Sequence, residues 1–308
     1  MPTAPDLVLL GNLLVDDVVF ADGRTRMAQA GGAMLYTSLA ASLWGVSIGC
    51  VSLAGSDYPA TALATLRSRG VALDGVHALA GNGVRTWLLY EGGVRRVVHR
   101  LGCPTHEAVS PLPEHVPEAW HRARAFHLAP MPIAIQRALV TAIRRWESPA
   151  APAFVALDPH LPVTPDTLQE WRELLAQVDV FLPSDDEWRL PADAFDAACG
   201  ALAGGRLRFV AWKRGVAGGR LYDLRGERQL SWSPRPAEAV DPTGAGDGFA
   251  AGFITAHLEG AGPETALKRA VVTAGVACGG WGADGLLAGT RAAAEARIAA
   301  WDTAGAPA

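Results

Sequence analysis

Short apolar runs alternate along this chain with stretches whose apolar residues recur three and four apart. Leu7–Leu10 is a run of strand length ending at Gly11-Asn12, and residues 15–20 read as extended through Asp16 and Asp17. The polar stretch 21–29, with Arg24 and Arg26, reads as a hairpin return. Gly31-Gly32 opens a predicted helix over 34–44, apolar at 35, 39, 40 and 43. A strand over 48–53 and a helix over 59–69, ending at Gly70, follow. Residues 86–90 and Val94–His99 flank Glu91-Gly92-Gly93, a hairpin pattern with polar as well as apolar faces, which predicts a projection from the body. Beyond Pro104, residues 126–128, Phe154–Leu157, 180–182 and 209–212 are short apolar strands. Helical patterns over Ile133–Trp146 and 167–177 separate the first three, and further helices run from Phe249 and across 263–278. Strands alternating with helices imply a doubly wound, mostly parallel sheet covered on both faces. The Ala/Gly/Pro segment after Trp301 reads as a loose tail.

Composition narrows the class. Of 308 residues, 50% are apolar and 19% charged, enough for a large core in one α/β domain. The net charge of −4, with no block of lysine or arginine, argues against a nucleic-acid or membrane surface. Residues 27–56 carry no charge, but five glycines and several polar residues break them into a soluble buried βαβ element. Cys50, Cys103, Cys199 and Cys278 lie far apart without metal-ligand spacing, and M-P-T-A-P-D has no basic leader region. Both point to a cytoplasmic protein with reduced thiols.

The stretch 239–253, A-V-D-P-T-G-A-G-D-G-F-A-A-G-F, carries the chemistry. It reads as strand, tight turn and helix N-terminus. Gly244, Ala245 and Gly246 remove side chains from the turn, so its N–H groups and the positive end of the helix dipole favour an anion. Asp247 in the same turn is either a helix cap or a base beside a bound phosphate. There is no Gly-Lys-Ser/Thr as in a P-loop, and Phe249 stands where a dinucleotide fingerprint has its third glycine. An anion hole with an adjacent carboxylate suits phosphoryl transfer to a hydroxyl.

D-P-T-G-A-G-D-G-F-A-A-G-F resembles the C-terminal signature of the ribokinase-like (PfkB-type) carbohydrate kinases, with Pro242 in place of the usual Thr or Ser. The resemblance extends over essentially all of residues 1–308. It implies a single three-layer α/β/α domain with a small β-sheet lid, formed by about 12–30 and 83–101. It further implies an ATP- and Mg2+-dependent kinase of a small hydroxyl compound. By resemblance Asp247 is the base, and Gly244, Ala245 and Gly246 form the anion hole. Asp16 in G-N-L-L-V-D and the Gly31-Gly32 backbone meet the acceptor. Tyr36 stands where the family usually has an Asn that reads sugar hydroxyls, which favours a bulkier or flatter acceptor such as a cyclitol. His160 likewise replaces a common Asn, and Arg85, Arg95, Arg96 and Arg100 in the lid are candidates to grip an acceptor phosphate. P-S-D-D-E resembles the family's P-N-x-x-E motif, giving Ser184 and Glu187 a role in holding Mg2+ through water. K-R-G-V-A-G resembles the turn near the nucleotide, with Lys213, Gly215 and Gly218. Asp241 and the Thr243 carbonyl, with backbone oxygens around 277–282, correspond to a monovalent-cation loop for K+. Two alternatives stand beside the sugar or cyclitol kinase: a nucleoside or vitamin-type kinase, and a catalytically silent kinase-fold scaffold or sensor. Exposed edges of an open lid sheet suit homodimer formation.

Overall fold

The computed structural model describes residues 4–91, 94–233 and 239–303. The chain opens with β1 (Leu7–Leu10), β2 (Leu14–Val19), β3 (Thr25–Gly31), α1 (Ala33–Ser42), β4 (Ile48–Ala54), α2 (Ala60–Ser68) and β5 (Val71–Ala78). It continues through β6 (Arg85–Glu91), β7 (Val94–His99), α3 (His106–Val109), β8 (Ala125–Leu128), α4 (Ile133–Trp146), β9 (Phe154–Leu157), α5 (Leu168–Leu175) and β10 (Val180–Phe181). The last part comprises α6 (Phe195–Leu202), β11 (Phe209–Lys213), β12 (Gly219–Asp223), β13 (Arg228–Trp232), α7 (Ala245–Leu258), α8 (Pro263–Ala277), α9 (Asp284–Ala288) and α10 (Arg291–Thr303).

Nine strands form one sheet in the order β13-β12-β11-β10-β9-β8-β1-β4-β5. From β11 to β5 every neighbour is parallel, and β12 and β13 add an antiparallel edge. Successive strand residues point to opposite faces, and β1 shows why this sheet is buried on both. Leu7 and Leu9 join one apolar layer with Leu39 of α1, Phe253 of α7 and Leu267 of α8. Val8 and Leu10 join the other with Leu139 of α4, Trp171 of α5 and Phe195 of α6. The result is three layers, α/β/α. A second sheet, β3-β2-β6-β7, joins the two hairpin segments through a parallel β2–β6 pairing.

Four expectations change. Residues 239–240 are not a strand: β13 ends at Trp232 and Val240 is 40% exposed, so the turn before α7 is approached by an irregular segment. Helix α7 begins at Ala245 rather than Phe249, which puts Asp247 inside its first turn. Asp16 sits within β2 of the small sheet, not at the end of a strand of the large one, because the chain leaves that sheet at residues 11–13. The segment after Trp301 continues helically to Thr303, and residues 304–308 lie outside the described residues.

Candidate active site

Gly244 takes φ +79° at the N-cap of α7. A side chain there would be strained, and a Cβ would lie 2.3 Å from Cδ1 of Tyr36. The Ala245 N–H turns back to the Pro242 carbonyl at 3.1 Å, and the helical ladder begins with Gly248 N–H donating to the Gly244 carbonyl at 2.8 Å. The turn's remaining N–H groups precede that ladder, as at any helix start. Gly246 is exposed and Asp247 half-buried. Thr37 of α1 holds its hydroxyl 3.4 Å from Asp247 Oδ1 while donating to the Ala33 carbonyl at 2.8 Å. The Asp247 carboxylate thus lies in the first turn of α7, favourable to negative charge, and against the second turn of α1.

Asp16 is 6% exposed and accepts a short hydrogen bond from the Thr86 hydroxyl on β6. Its carboxylate explains Gly31: a Cβ on that residue would meet Asp16 Oδ2 at 1.9 Å. Gly32, at φ +89°, lets α1 start directly under the Asn12 carbonyl, 2.4 Å from where a Cβ would stand. Tyr36 is buried between these parts. Burial, then the charges of Asp16, Asp241 and Asp247, push its phenol well above the ordinary range, so it stays a hydrogen-bond donor. A cavity of about 170 Å³ is lined by Asp16, Tyr36, Asp241, Phe20 and Trp281 among others, between the small sheet, α1 and the loop before α9.

Asp241 is 3% exposed. Its Oδ1 accepts from the Tyr90 hydroxyl at 2.7 Å and the Thr243 N–H at 2.9 Å, and its Oδ2 from the Gly282 N–H at 2.8 Å. Tyr90 also lies edge-on to Trp281, with ring centres 5.5 Å apart, and Phe20 meets Trp281 at 4.6 Å. One residue of the small sheet therefore touches the loop that leads into α7.

On the other flank, Lys213 at the end of β11 makes a short ion pair with Asp158, whose second oxygen is 2.8 Å from His127 Nε2. Burial alone would push the Asp158 carboxyl up, but Lys213 and His127 outweigh it and hold it below its ordinary value. Burial would lower Lys213, yet Asp158 and Glu187 hold it above its own. The pair is charged, and the ammonium lies beside the turn, 3.5 Å from where a Cβ of Gly246 would stand. Glu187 accepts on Oε2 from the Ser184 N–H at 2.7 Å and the Ser184 hydroxyl at 2.8 Å, and burial raises its carboxyl.

Asp16, Gly31, Gly32, Tyr36, Asp241 and Gly244 thus converge, with Lys213, Ser184 and Glu187 on the far side of the turn. Gly215 and Gly218 form the β11–β12 hairpin turn, where the Trp232 carbonyl requires Gly218: a Cβ there would stand 1.9 Å from that oxygen. Two of the four candidate arginines are committed elsewhere: Arg85 pairs with buried Asp17 at 2.6 Å and Arg100 with the same carboxylate at 3.0 Å. Arg96 is exposed, and the Arg95 side chain lies outside the described residues. Four contributors carry no sequence motif: Thr86, Tyr90, and two members of a row of imidazoles, His99 and His106, that ends at His160. His106 sits between His99 and His160 with ring centres 5.1 Å from each, and Asn12 Nδ2 lies 3.2 Å from His106 Nδ1. Among the described residues, no three His, Cys, Asp or Glu side chains are arranged to hold a metal, and no helix is long and apolar enough to cross a membrane.

Residues 8–287 match the family model described as pfkB family carbohydrate kinase. The chain belongs to that family. A pfkB kinase is a phosphotransferase with a hydroxyl acceptor. Over 266 residues it is 29% identical to a cytidine kinase of Thermococcus kodakarensis, covering 83% of this chain and 89% of that one. The fold matches that of an E. coli ribokinase II in complex with ATP and Mg2+ (TM-score 0.75, 20% identity, 96% of this chain and 99% of the other). It also matches a Burkholderia thailandensis nucleoside kinase in complex with inosine (TM-score 0.73, 15% identity, 96% and 98%).

Proposed function

We propose that this pfkB kinase transfers the ATP γ-phosphate to a hydroxyl of a small acceptor held between Asp16 and Asp247. The observation that carries it is the gathering around Tyr36 of a half-buried carboxylate, Asp247, the Gly244 turn at the start of α7, and a second, buried carboxylate, Asp16. Asp247 takes the hydroxyl proton as the oxygen attacks in line, and the N–H groups around Gly244, Ala245 and Gly246 offset the charge that develops. Of these, the Ala245 N–H is turned toward Pro242, which leaves the Gly246 N–H the larger share of the hole. Asp16, oriented by Thr86, accepts from acceptor hydroxyls, and the Gly31-Gly32 junction is the hinge of the lid formed by β3-β2-β6-β7. Closing the lid excludes water that would otherwise hydrolyse ATP.

A single carboxylate suits Mg2+, which keeps several waters and binds largely through substrate phosphates. Glu187 fits that part because both Ser184 contacts fall on Oε2; it would hold the ion through water, and the ion supplies neutralisation of phosphate charge. Lys213, charged and beside Gly246, adds a point charge to the phosphate side. Asp241 and the Thr243 carbonyl form the edge of a K+ loop, tested by replacing K+ with Na+ in the assay.

The acceptor is a sugar or cyclitol on the reading of Tyr36. The resemblance in sequence to a cytidine kinase favours a second reading, a nucleoside. Two copies pairing through edge strand β7, where Val97 and Val98 are 52% and 46% exposed, would give a homodimer seen by gel filtration. The Asp247→Asn variant tests the whole reading: turnover falls by about 10²–10⁴-fold, the range for a positioned general base, while ATP still binds. Near-normal turnover removes Asp247 from the chemistry, and no ATP-dependent turnover with any acceptor points to a silent scaffold.

A further inference from the structure

Resting on the kinase reading, we propose that the acceptor is a nucleoside, its base held at the rim formed by Asn12, His99, His106 and His160 while its ribose hydroxyls meet Asp16. The strand register supplies the ruler. Asp16 is paired with Thr86 across β2–β6, and Thr86 with His99 across β6–β7. Residues directly opposite on neighbouring strands present side chains on the same face, and the Thr86–Asp16 hydrogen bond shows this for the first pair. Two strand spacings of about 4.8 Å place His99 about 10 Å across the sheet from Asp16. A lone sugar or cyclitol ring at Asp16 does not reach that far; a sugar bearing a base does.

The rim has the chemistry of a base edge. Asn12 is 4% exposed, and its Oδ1 has no hydrogen-bond partner in the protein. Turning the amide over exchanges oxygen for nitrogen and still leaves one polar atom for a ligand. His106 bridges Asn12 to His99, with the two Nε2 atoms 3.4 Å apart, and its ring lies at 35° to that of His160. His99 and His160 are exposed, so both ends of the row are open to solvent rather than buried in the core. Burial first, then repulsion from His160 and His99, keeps the His106 imidazole below its ordinary range, and burial and His99 do the same for His160. Such a shift favours the neutral form of His106 and His160. The row offers paired donors, acceptors and flat faces to an uncharged heterocycle.

The test uses the full chain with ATP, Mg2+ and a panel of cytidine, uridine, adenosine, inosine, guanosine, ribose and myo-inositol. At least one nucleoside is expected to exceed ribose and myo-inositol in kcat/KM by about 100-fold, the combined effect of two base-edge hydrogen bonds. His106→Ala is expected to raise KM for that nucleoside about tenfold, with the smaller effect on kcat. His160→Asn, at an exposed position that leaves folding intact, is expected to shift KM in the same direction. Calorimetric titration with the nucleoside alone should show the same weakening. Ribose or myo-inositol matching every nucleoside, or a KM unchanged in both histidine variants, overturns the nucleoside assignment and leaves the kinase reading standing. If nothing on the panel is phosphorylated, the kinase reading fails, and the titration alone decides whether the rim binds a base.

Discussion

Gly244→Ala probes the contact on which the turn at the start of α7 rests. The substitution acts through two separable effects. A side chain at φ +79° costs about 1–2 kcal/mol whatever surrounds it. In addition the new methyl would stand 2.3 Å from Cδ1 and 2.6 Å from Cγ of the buried Tyr36 ring. Overpacking of this kind costs about 1–3 kcal/mol, giving about 2–5 kcal/mol together. Tyr36→Ala removes the obstacle and leaves the backbone strain. Urea unfolding of the wild type, both single variants and the double variant gives the coupling directly. The double variant should be more stable than the sum of the single losses by the overpacking share, about 1–3 kcal/mol. Gly244→Ala should also lose phosphoryl transfer by at least about 100-fold, since N–H groups displaced by a fraction of an ångström no longer meet the same oxygen. Additivity within about 0.5 kcal/mol, or wild-type stability of Gly244→Ala, would refute the packing argument.

Lys213→Met strands the buried Asp158 carboxylate and should cost about 3–5 kcal/mol; adding Asp158→Asn should restore part of it, as read by thermal unfolding. Acidification should also destabilise the fold. His106, His115, His160 and His257 are all held below the ordinary 6.5, by burial first in each case. Below pH 6.5 the unfolded chain therefore binds protons that the folded chain refuses, and stability declines as pH drops. Melting temperatures measured from pH 7.5 to 5 should fall, and a flat profile would contradict the sign.

Much of the scaffold was legible because its elements are locally self-sufficient. The helix Ile133–Trp146 and the strand Phe154–Leu157 carry unbroken patterns, and their bounds follow from the sequence. Strand β5 went unread because Asp74 and Gly75 interrupt it; Gly75 is there since Val51 and the Trp120 ring leave no room for a Cβ. The motif residues Asp16, Gly31, Gly32, Tyr36 and Gly244 are read from short stretches, and the fold brings them together. Thr86, Tyr90 and His99 were invisible for another reason: their meaning comes from which residue stands opposite in a neighbouring strand. Arg85 and Arg100 show the same limit, since their charges are plain in the sequence but their shared partner, buried Asp17, is not.

The hydrogen bond from Tyr90 to Asp241 has a thermodynamic corollary. It is made between a strand of the small sheet and the loop bearing the phosphate-side turn, so the two bodies share a strut. Any ligand that tightens this strut from one end lowers the free energy of engaging the other, and by linkage the effect is equal in both directions. On the kinase reading, filling of the acceptor cleft and affinity for the phosphate donor are thereby tied in part through this phenol.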